Sequence, residues 1–216
     1  MLCMPRGQKY EQHGSMQVQS HSPPLPIPYG THHSKFFLLF YSHGVRVVIH
    51  TANLVFSDCN NKTQGIFFQD FPFNKAGKSS RAARQSNASE SSCVHTDSSV
   101  HTDFHSHLIT YVRALRLPAE AFTDIERQLN RCDFSSARVA LVPSIPGRHD
   151  RSIFNRFGHM RLRTILGKHS FPMRFSSSPV CCQFSSMGSL TQDWLQSEFL
   201  ASLSAGKAVG LSLIHI

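Results

Sequence analysis

The stretch Gly30-Thr31-His32-His33-Ser34-Lys35-Phe36-Phe37-Leu38-Leu39-Phe40 opens the part of the chain that decides the fold. A second run, Val45-Arg46-Val47-Val48-Ile49-His50-Thr51, and a third, Gly65-Ile66-Phe67-Phe68, follow it. All three are rich in β-branched and aromatic residues and are separated by short polar segments, which is typical of strands. The sequence therefore predicts strands over Thr31–Phe40, Val45–Thr51 and Gly65–Phe68, with the first two joined through Tyr41–Gly44.

Four polar side chains in this region have the chemistry needed to attack a phosphodiester. Side chains at i and i+2 of a strand share one face, so His33 and Lys35 are expected to project side by side. A neutral imidazole nitrogen can attack phosphorus and form a phosphohistidine, and Lys35 supplies positive charge for the non-bridging oxygens. The Asn53 amide can donate to the same oxygens, and the Gln64 amide oxygen can accept from His33 Nδ1–H. A lone His-x-Lys pair is more often just an exposed strand, but Asn53 and Gln64 argue against that alternative.

The segments that carry these residues resemble the amino-terminal motif of the tyrosyl-DNA phosphodiesterases, a family within the phospholipase D superfamily. The similar segments are Gly30-Thr-His-His-Ser-Lys35, Arg46-Val-Val-Ile-His-Thr-Ala-Asn-Leu54 and Lys62-Thr-Gln-Gly-Ile66. By this resemblance His33 is the nucleophile, Lys35 and Asn53 bind phosphate, and Gln64 lies behind His33. The resemblance also implies three DNA-facing residues, with an aromatic ring beside the DNA and two hydroxyls near its backbone: Tyr29, Ser185 and Ser186.

The resemblance also implies a fold and a division into domains. The family has two similar α/β/α layered domains with the active site in the cleft between them. We therefore expect an α/β, phospholipase D-like sandwich whose first domain is nearly complete and whose second is truncated. The expected segments are an irregular 1–26, a first domain 27–146 with a disordered Ser-rich insert 74–103, the start of a second domain 147–205 and an unmatched tail 206–216.

Apolar spacing predicts further elements downstream of the three strands. Helical stripes are formed by Phe104, Leu108, Val112 and Leu115 and by Phe122, Ile125 and Leu129. Helices are also predicted over Gly158–Leu166 and Gln192–Leu203, the second with Leu195, Phe199 and Leu203 on one face. Short strands are predicted over Arg138–Val142 and Val180–Phe184. Strands alternating with helices indicate an α/β fold.

Composition narrows the class of partner and of chemistry. The formal charge of +9 and the pI of about 9.6 favour an anionic partner, although a basic surface without a partner is an equally simple explanation. The six Cys have no C-x-x-C spacing, and the sequence shows no signal peptide, which predicts reduced, intracellular thiols. No apolar run reaches the length of a membrane span. Among the 14 His, the group His101, His105 and His107 lacks the Cys or carboxylate ligands of a metal site, so neither metal nor cofactor is expected.

Three functions remain open from the sequence. The first is a DNA repair phosphodiesterase, of exonuclease type, that removes tyrosine or other adducts from 3′ ends of single- or double-stranded DNA in the nucleus. The second is a non-catalytic DNA-binding remnant, and the third is a fragment that does not fold alone. The family's second His-x-Lys motif is missing from these residues, so the chain is expected to be an internal fragment or a truncated gene product that is inactive alone. The sequence leaves the oligomeric state open.

Overall fold

A computed structural model describes residues 21–28, 30–74, 103–150, 152–175, 178–180, 182 and 189–205. The predicted irregular segment 1–26, insert 74–103 and tail 206–216 lie largely or wholly outside these residues. Within the described part of the chain, every helix is too short or too polar to cross a bilayer.

Three antiparallel strands form the sheet of the first part of the chain. They are β1 (Lys35–Tyr41), β2 (Gly44–His50) and β3 (Ile66–Pro72), in the spatial order β1-β2-β3. Val45 on β2 faces Phe40 on β1 and Phe71 on β3. The three predicted strands and the hairpin between the first two are confirmed, and together with the helices they make an α/β fold.

The first strand begins later than the sequence predicts. Thr31–Ser34 are not part of β1, which starts at Lys35 opposite His50. The reason lies in the pairing, because β2 ends at His50 and the preceding residues of the first strand find no ladder partner there. His33 therefore sits in the segment that enters the sheet, where a side chain is freer to face a ligand than in a paired strand.

Gly44 lets the middle strand pass close to its neighbour. A Cβ at this position would clash with the backbone oxygen of Phe71 and would lie 2.8 Å from Cα of Pro72. Backbone atoms cannot move aside as a flexible side chain can. Close approach of β2 and β3 therefore requires glycine at this position.

Helices cover one face of the sheet. A short helix α1 (Phe56–Asn60) connects β2 to β3, and α2 (Phe104–Ala114) and α3 (Ala119–Asn130) follow. Both predicted helical stripes are confirmed, since Phe104 and Leu129 are fully buried and the remaining stripe residues are buried or pack against the core. The core is formed by side chains from this sheet face and these helices: Val45, Val47, Phe71, Phe104, Leu108, Ile109, Val112, Leu129, Cys132, Phe134 and Ala137.

The predicted strand Arg138–Val142 is wrong, because this segment is irregular. Here a side chain of β3, rather than its backbone, forms hydrogen bonds to the backbone of the neighbouring segment. Gln69, on β3, is buried, and its Nε2 donates to the Ser136 carbonyl over 2.5 Å while its Oε1 accepts from the Arg138 amide over 3.1 Å. With these two backbone groups bonded to Gln69, the chain packs Val139 and Leu141 against the core without joining the sheet.

The chain divides into two compact units between Leu141 and Val142, a few residues before the predicted domain boundary at 146. In the second unit, α4 (Gly158–Gly167) confirms the third predicted helix. The fourth is a helical run made of α5 (Gln192–Trp194), a π-helical segment Leu195–Leu200 and α6 (Ala201–Leu203).

The π-helical segment changes which face of this run is buried. The predicted apolar face of Leu195, Phe199 and Leu203 is only half-buried, and Leu200 and Ser202 are the buried residues. A π-turn adds residues to each turn and so shifts the phase of all later side chains. A periodicity of 3.6 residues cannot anticipate that shift. The predicted strand Val180–Phe184 falls mostly outside the described residues.

Candidate active site at one end of the sheet

The sheet topology places the predicted site residues at one end. Because the strands are antiparallel, the start of β1, the end of β2 and the start of β3 lie at the same end of the sheet. His33 comes just before β1, Asn53 just after β2, and Gln64 just before β3. Residues distant in sequence are thus gathered by the two strand pairings alone.

His33 and Lys35 are in direct contact. Lys35 Nζ lies 2.9 Å from Nδ1 and 3.1 Å from Nε2 of the His33 ring, and it donates to the His33 carbonyl over 2.8 Å. His33 is exposed and Lys35 is half-buried. The contact holds a positive charge beside a ring nitrogen that can act as a nucleophile.

Asn53 is held by a carboxylate. Both the backbone amide and the side-chain Nδ2 of Asn53 donate to Asp58 Oδ2, over 3.0 and 2.7 Å. Lys62 Nζ donates to the other oxygen, Oδ1, over 2.7 Å. These hydrogen bonds, from Lys62 first and then from Asn53, lower the pKa of Asp58 to about 2, so the carboxylate is ionised at neutral pH.

Gln64 is oriented differently from the expectation. Its Oε1 accepts from Thr51 Oγ1 over 2.7 Å, and its Nε2 donates to the Asp58 carbonyl over 3.2 Å. The expected hydrogen bond from His33 Nδ1–H to the Gln64 oxygen is therefore not the one that forms. The Thr51 hydroxyl, which also accepts from the Gly65 amide over 2.9 Å, is the nearer donor across the β2–β3 pairing.

Partial burial lowers the pKa of the Lys35 ammonium, and the nearby negative charge of Asp58 acts in the opposite direction. Asp58 thus contacts Asn53, Lys62 and Gln64, and its charge also affects the pKa of Lys35. The sequence motifs do not point to Asp58, because its importance depends on burial and on hydrogen bonds to residues of other segments. One signal was present in the sequence, because Asp58 and Lys62 are spaced i, i+4, the spacing of a helical ion pair.

The remaining predicted site residues, Tyr29, Ser185 and Ser186, lie outside the described residues. Their predicted roles beside the DNA stay predictions.

The sequence predicts that several basic side chains could face one DNA groove, with solvated helix faces as the alternative for most of the Arg; the candidates are Lys35, Arg46, Lys62, Arg148, Arg151, Arg156, Arg161 and Arg163. Two of these residues are ion-paired and one is buried. Arg46 forms a two-pronged ion pair with Asp70, at 2.6 and 2.8 Å, and Lys62 is paired with Asp58. In the second unit Arg161 is buried. These three are poor candidates for phosphate contacts, which narrows that set. Lys35 remains in the first unit, and Arg148 and Arg156 are exposed in the second.

The described residues contain no group of three or more His, Cys, Asp or Glu side chains that could hold a metal. His105 instead stacks on Phe134, with ring centroids 5.0 Å apart. His107 lies 3.8 Å from the Asp103 carboxylate. His101 is outside the described residues.

Comparison with known proteins identifies the class to which this fold and site belong. The family model described as tyrosyl-DNA phosphodiesterase matches residues 4–212, nearly the whole chain. The chain therefore belongs to the tyrosyl-DNA phosphodiesterase family, a family named for a hydrolase activity.

Individual relatives agree with that assignment. The chain is 41% identical over 194 residues to tyrosyl-DNA phosphodiesterase 1 of Arabidopsis thaliana, covering 86% of this chain and 29% of the relative. It is 32% identical over 193 residues to the protein of the same name in Drosophila melanogaster, covering 87% and 30%. A probable tyrosyl-DNA phosphodiesterase of Caenorhabditis elegans is 30% identical over 188 residues, covering 83% and 36%. The chain thus spans about a third of the length of these relatives.

Proposed function

We propose that this chain carries the nucleophile half of a tyrosyl-DNA phosphodiesterase active site. The observation that supports this most directly is the exposed His33 in contact with Lys35, at the sheet end that also holds Asn53 and Gln64. The proposed substrate is DNA with a tyrosyl or other adduct on its 3′ phosphate. Family membership and the names of the relatives support this substrate class.

The proposed reaction has two steps. A ring nitrogen of His33 uses its lone pair to form a P–N bond, and the P–O bond to the tyrosine breaks. The phenolate leaves with that electron pair and takes up a proton. Water then attacks phosphorus and gives up a proton to the solvent, and the P–N bond breaks with its electron pair returning to the ring nitrogen. A 3′ phosphate and free His33 result.

Lys35 and Asn53 would stabilise the negative charge that develops on the non-bridging oxygens in both steps. Lys35 must exchange its contact with the His33 ring for one with the phosphate, since an engaged lone pair cannot attack. The Asn53 amide has a second N–H besides the one bound to Asp58, and this N–H can reach an anion.

The proposal extends to the architecture and the cellular role. The proposed fold is the phospholipase D-like α/β/α sandwich, in which a second His-x-Lys half completes the site. Release of a phenolate is helped by a proton donor on the far side of the phosphate, and that half would supply it. Exonuclease-type trimming of 3′ ends, in the nucleus, is the role consistent with this substrate.

The test separates nucleophilic attack from the rest of the reaction. An oligonucleotide with a 3′ p-nitrophenyl phosphate has a leaving group that departs without a proton donor. We expect one equivalent of nitrophenolate and a covalent DNA–protein adduct with the 216-residue chain, and no sustained turnover.

The matched variants are His33→Ala, which removes the nucleophile, and His43→Ala, which removes a ring at the opposite end of β1 that stacks on Tyr41. We expect the adduct with His43→Ala and not with His33→Ala. An adduct that survives in His33→Ala, or no adduct with the folded unsubstituted chain, would contradict the proposed function.

A further inference from the structure

We propose that Asp58 is a positioning residue of this site, which orients the Asn53 amide so that one of its N–H groups points at the substrate phosphate. The inference rests on the proposed function and assigns a role to a residue outside the His-x-Lys motif. It makes Asp58 a determinant of phosphate binding without contact to the phosphate itself.

The geometry around Asp58 is that of a built acceptor. Its side chain is 8% exposed, although it lies on a short helix in a connecting segment. Oδ2 receives both the backbone and the side-chain N–H groups of Asn53, and Oδ1 receives Lys62. A buried carboxylate is retained only where donors offset its lost hydration, and here both oxygens are engaged.

This arrangement decides which way the Asn53 amide faces. The two ends of an asparagine amide are nearly equal in size, so an unrestrained amide can present either its oxygen or its nitrogen to a ligand. An ionised carboxylate accepts hydrogen bonds and donates none. It therefore binds Nδ2 and excludes Oδ1, and the second Nδ2 hydrogen remains for an anion. With the reverse orientation, the amide oxygen would face the phosphate and repel it.

The other connection of Asp58 to the site does not use its side chain. Gln64 Nε2 donates to the Asp58 backbone carbonyl. A substitution at Asp58 therefore leaves the acceptor for Gln64 in place and perturbs the two residues that its side chain binds, Asn53 and Lys62. This makes the role testable by single substitutions.

The sign of the effect separates positioning from simple electrostatics. Asp58 brings a negative charge close to an anion site, and its field acts on Lys35. If it were only a nearby charge, its neutralisation in Asp58→Asn would tighten phosphate binding. If it orients Asn53, the same substitution weakens binding. An asparagine side chain at position 58 can accept from Asn53 Nδ2 or donate to Asn53 Oδ1, so it no longer selects one orientation of the Asn53 amide.

The first measurement needs no ligand. In the nuclear magnetic resonance spectrum of the free chain at neutral pH, we expect one Asn53 Nδ2 proton to be shifted downfield and protected from exchange. We expect that signature to be lost in Asp58→Asn and kept in Asp124→Asn, a matched control on α3 whose carboxylate pairs with Arg127 at the surface. An unshifted Asn53 amide in the unsubstituted chain would overturn the inference.

The second measurement is fluorescence anisotropy with a short single-stranded oligonucleotide carrying a 3′ phosphate. We expect Asn53→Ala and Asp58→Asn each to raise Kd by about ten- to a hundredfold, the range of one hydrogen bond to an anion. The double variant is expected to bind no more weakly than the weaker single variant, since both remove one interaction. Asp124→Asn should bind like the unsubstituted chain.

The outcomes distinguish this inference from the proposed function. Tighter or unchanged binding in Asp58→Asn, or additive effects in the double variant, would overturn the role of Asp58 while His33 adduct formation stands. Failure of the unsubstituted chain to bind the oligonucleotide would contradict both. If Asp58→Asn does not fold, Asp58→Glu preserves the charge and displaces the carboxylate by one methylene. It should still bind more weakly than the unsubstituted chain, and equal binding would overturn the inference.

Discussion

At the scale of single residues, the site combines an exposed imidazole, which we propose as the nucleophile, with groups that are held in place. His33 is exposed and contacts Lys35, whereas Asn53 is fixed by Asp58 and Gln64 by Thr51. A nucleophile must be reached by its substrate, while donors to a developing charge act best when they are already oriented. The difference in restraint between these residues follows from the difference in their chemistry.

Substitution of the pair His33 and Lys35 tests these roles in an active longer protein that contains this chain. We expect His33→Ala to lower kcat by several orders of magnitude and to abolish the covalent intermediate, because no other group forms the P–N bond. We expect Lys35→Ala to raise the barrier by about 3–4 kcal/mol, by comparison with loss of one oxyanion-hole donor. Single-turnover kinetics with a 3′-phosphotyrosyl oligonucleotide measures both. A phosphohistidine trapped in His33→Ala would refute the assignment.

The low pKa of Asp58 predicts how stability depends on acid. Its pKa is about 2 in the folded chain and 3.8 as the ordinary value, so the folded state favours the ionised form. The stabilisation is therefore fully present above the ordinary value and is lost as pH falls through about 2. We expect the stability difference between the unsubstituted chain and Asp58→Asn to be largest near pH 7 and to shrink below pH 4.

Urea unfolding followed by circular dichroism at several pH values measures that difference. Asp124→Asn is the control, since its exposed carboxylate pairs only at the surface. A difference between the unsubstituted chain and Asp58→Asn that stays constant down to pH 2 would show that the carboxylate is not held as described.

At the scale of elements, the middle strand organises the structure. β2 pairs with both neighbours along its whole length, and Val45 and Val47 anchor its inner face in the core. The end of β2 at His50 and the starts of β1 and β3 beside it determine where the site residues lie. A change in the register of the β1–β2 pairing would therefore move Asn53 relative to His33.

The close approach at Gly44 gives the prediction that belongs to this scale. We expect Gly44→Ala to destabilise the chain by about 1–3 kcal/mol, because the added methyl group meets the backbone of β3. Gly65→Ala is the matched control, since a Cβ there meets only the Thr51 side chain at 3.8 Å, an ordinary contact. Thermal unfolding measured by circular dichroism compares the two variants. Equal melting temperatures would contradict the close packing at Gly44.

At the scale of the whole molecule, charge and sequence coverage set what the chain can do. Its formal charge is +9, but ion pairs already occupy Arg46 and Lys62. The count of 22 Lys and Arg residues therefore overstates the number of basic side chains available for phosphate. The chain spans 29% of the Arabidopsis relative, so the whole-protein activity named for that relative stays a proposal for this chain.

We expect the chain to bind single-stranded DNA weakly, without sequence preference, and less strongly as salt rises, because phosphate contacts release counterions. Lys35→Ala should weaken binding and reduce the salt dependence, and Tyr29→Ala should cost about 1–3 kcal/mol if a base stacks there. Arg46→Ala should have little effect, because Asp70 already neutralises Arg46. Fluorescence anisotropy at two salt concentrations is the measurement. No binding at low salt by the folded chain would exclude a DNA-binding role.

The sequence by itself determined the α/β class, the three strands, the helical stripes and the family. Strand and helix patterns depend on local alternation and spacing, and the motif around His33 is contiguous enough to be recognised. Only the tertiary structure decided which side chains meet. Asp58 accepts from Asn53, and the Gln64 oxygen accepts from Thr51. Arg46 pairs with Asp70, and Gln69 bonds to Arg138 where the sequence predicts a strand. These contacts depend on burial and on registry between segments far apart in the chain, which no local pattern of residues encodes.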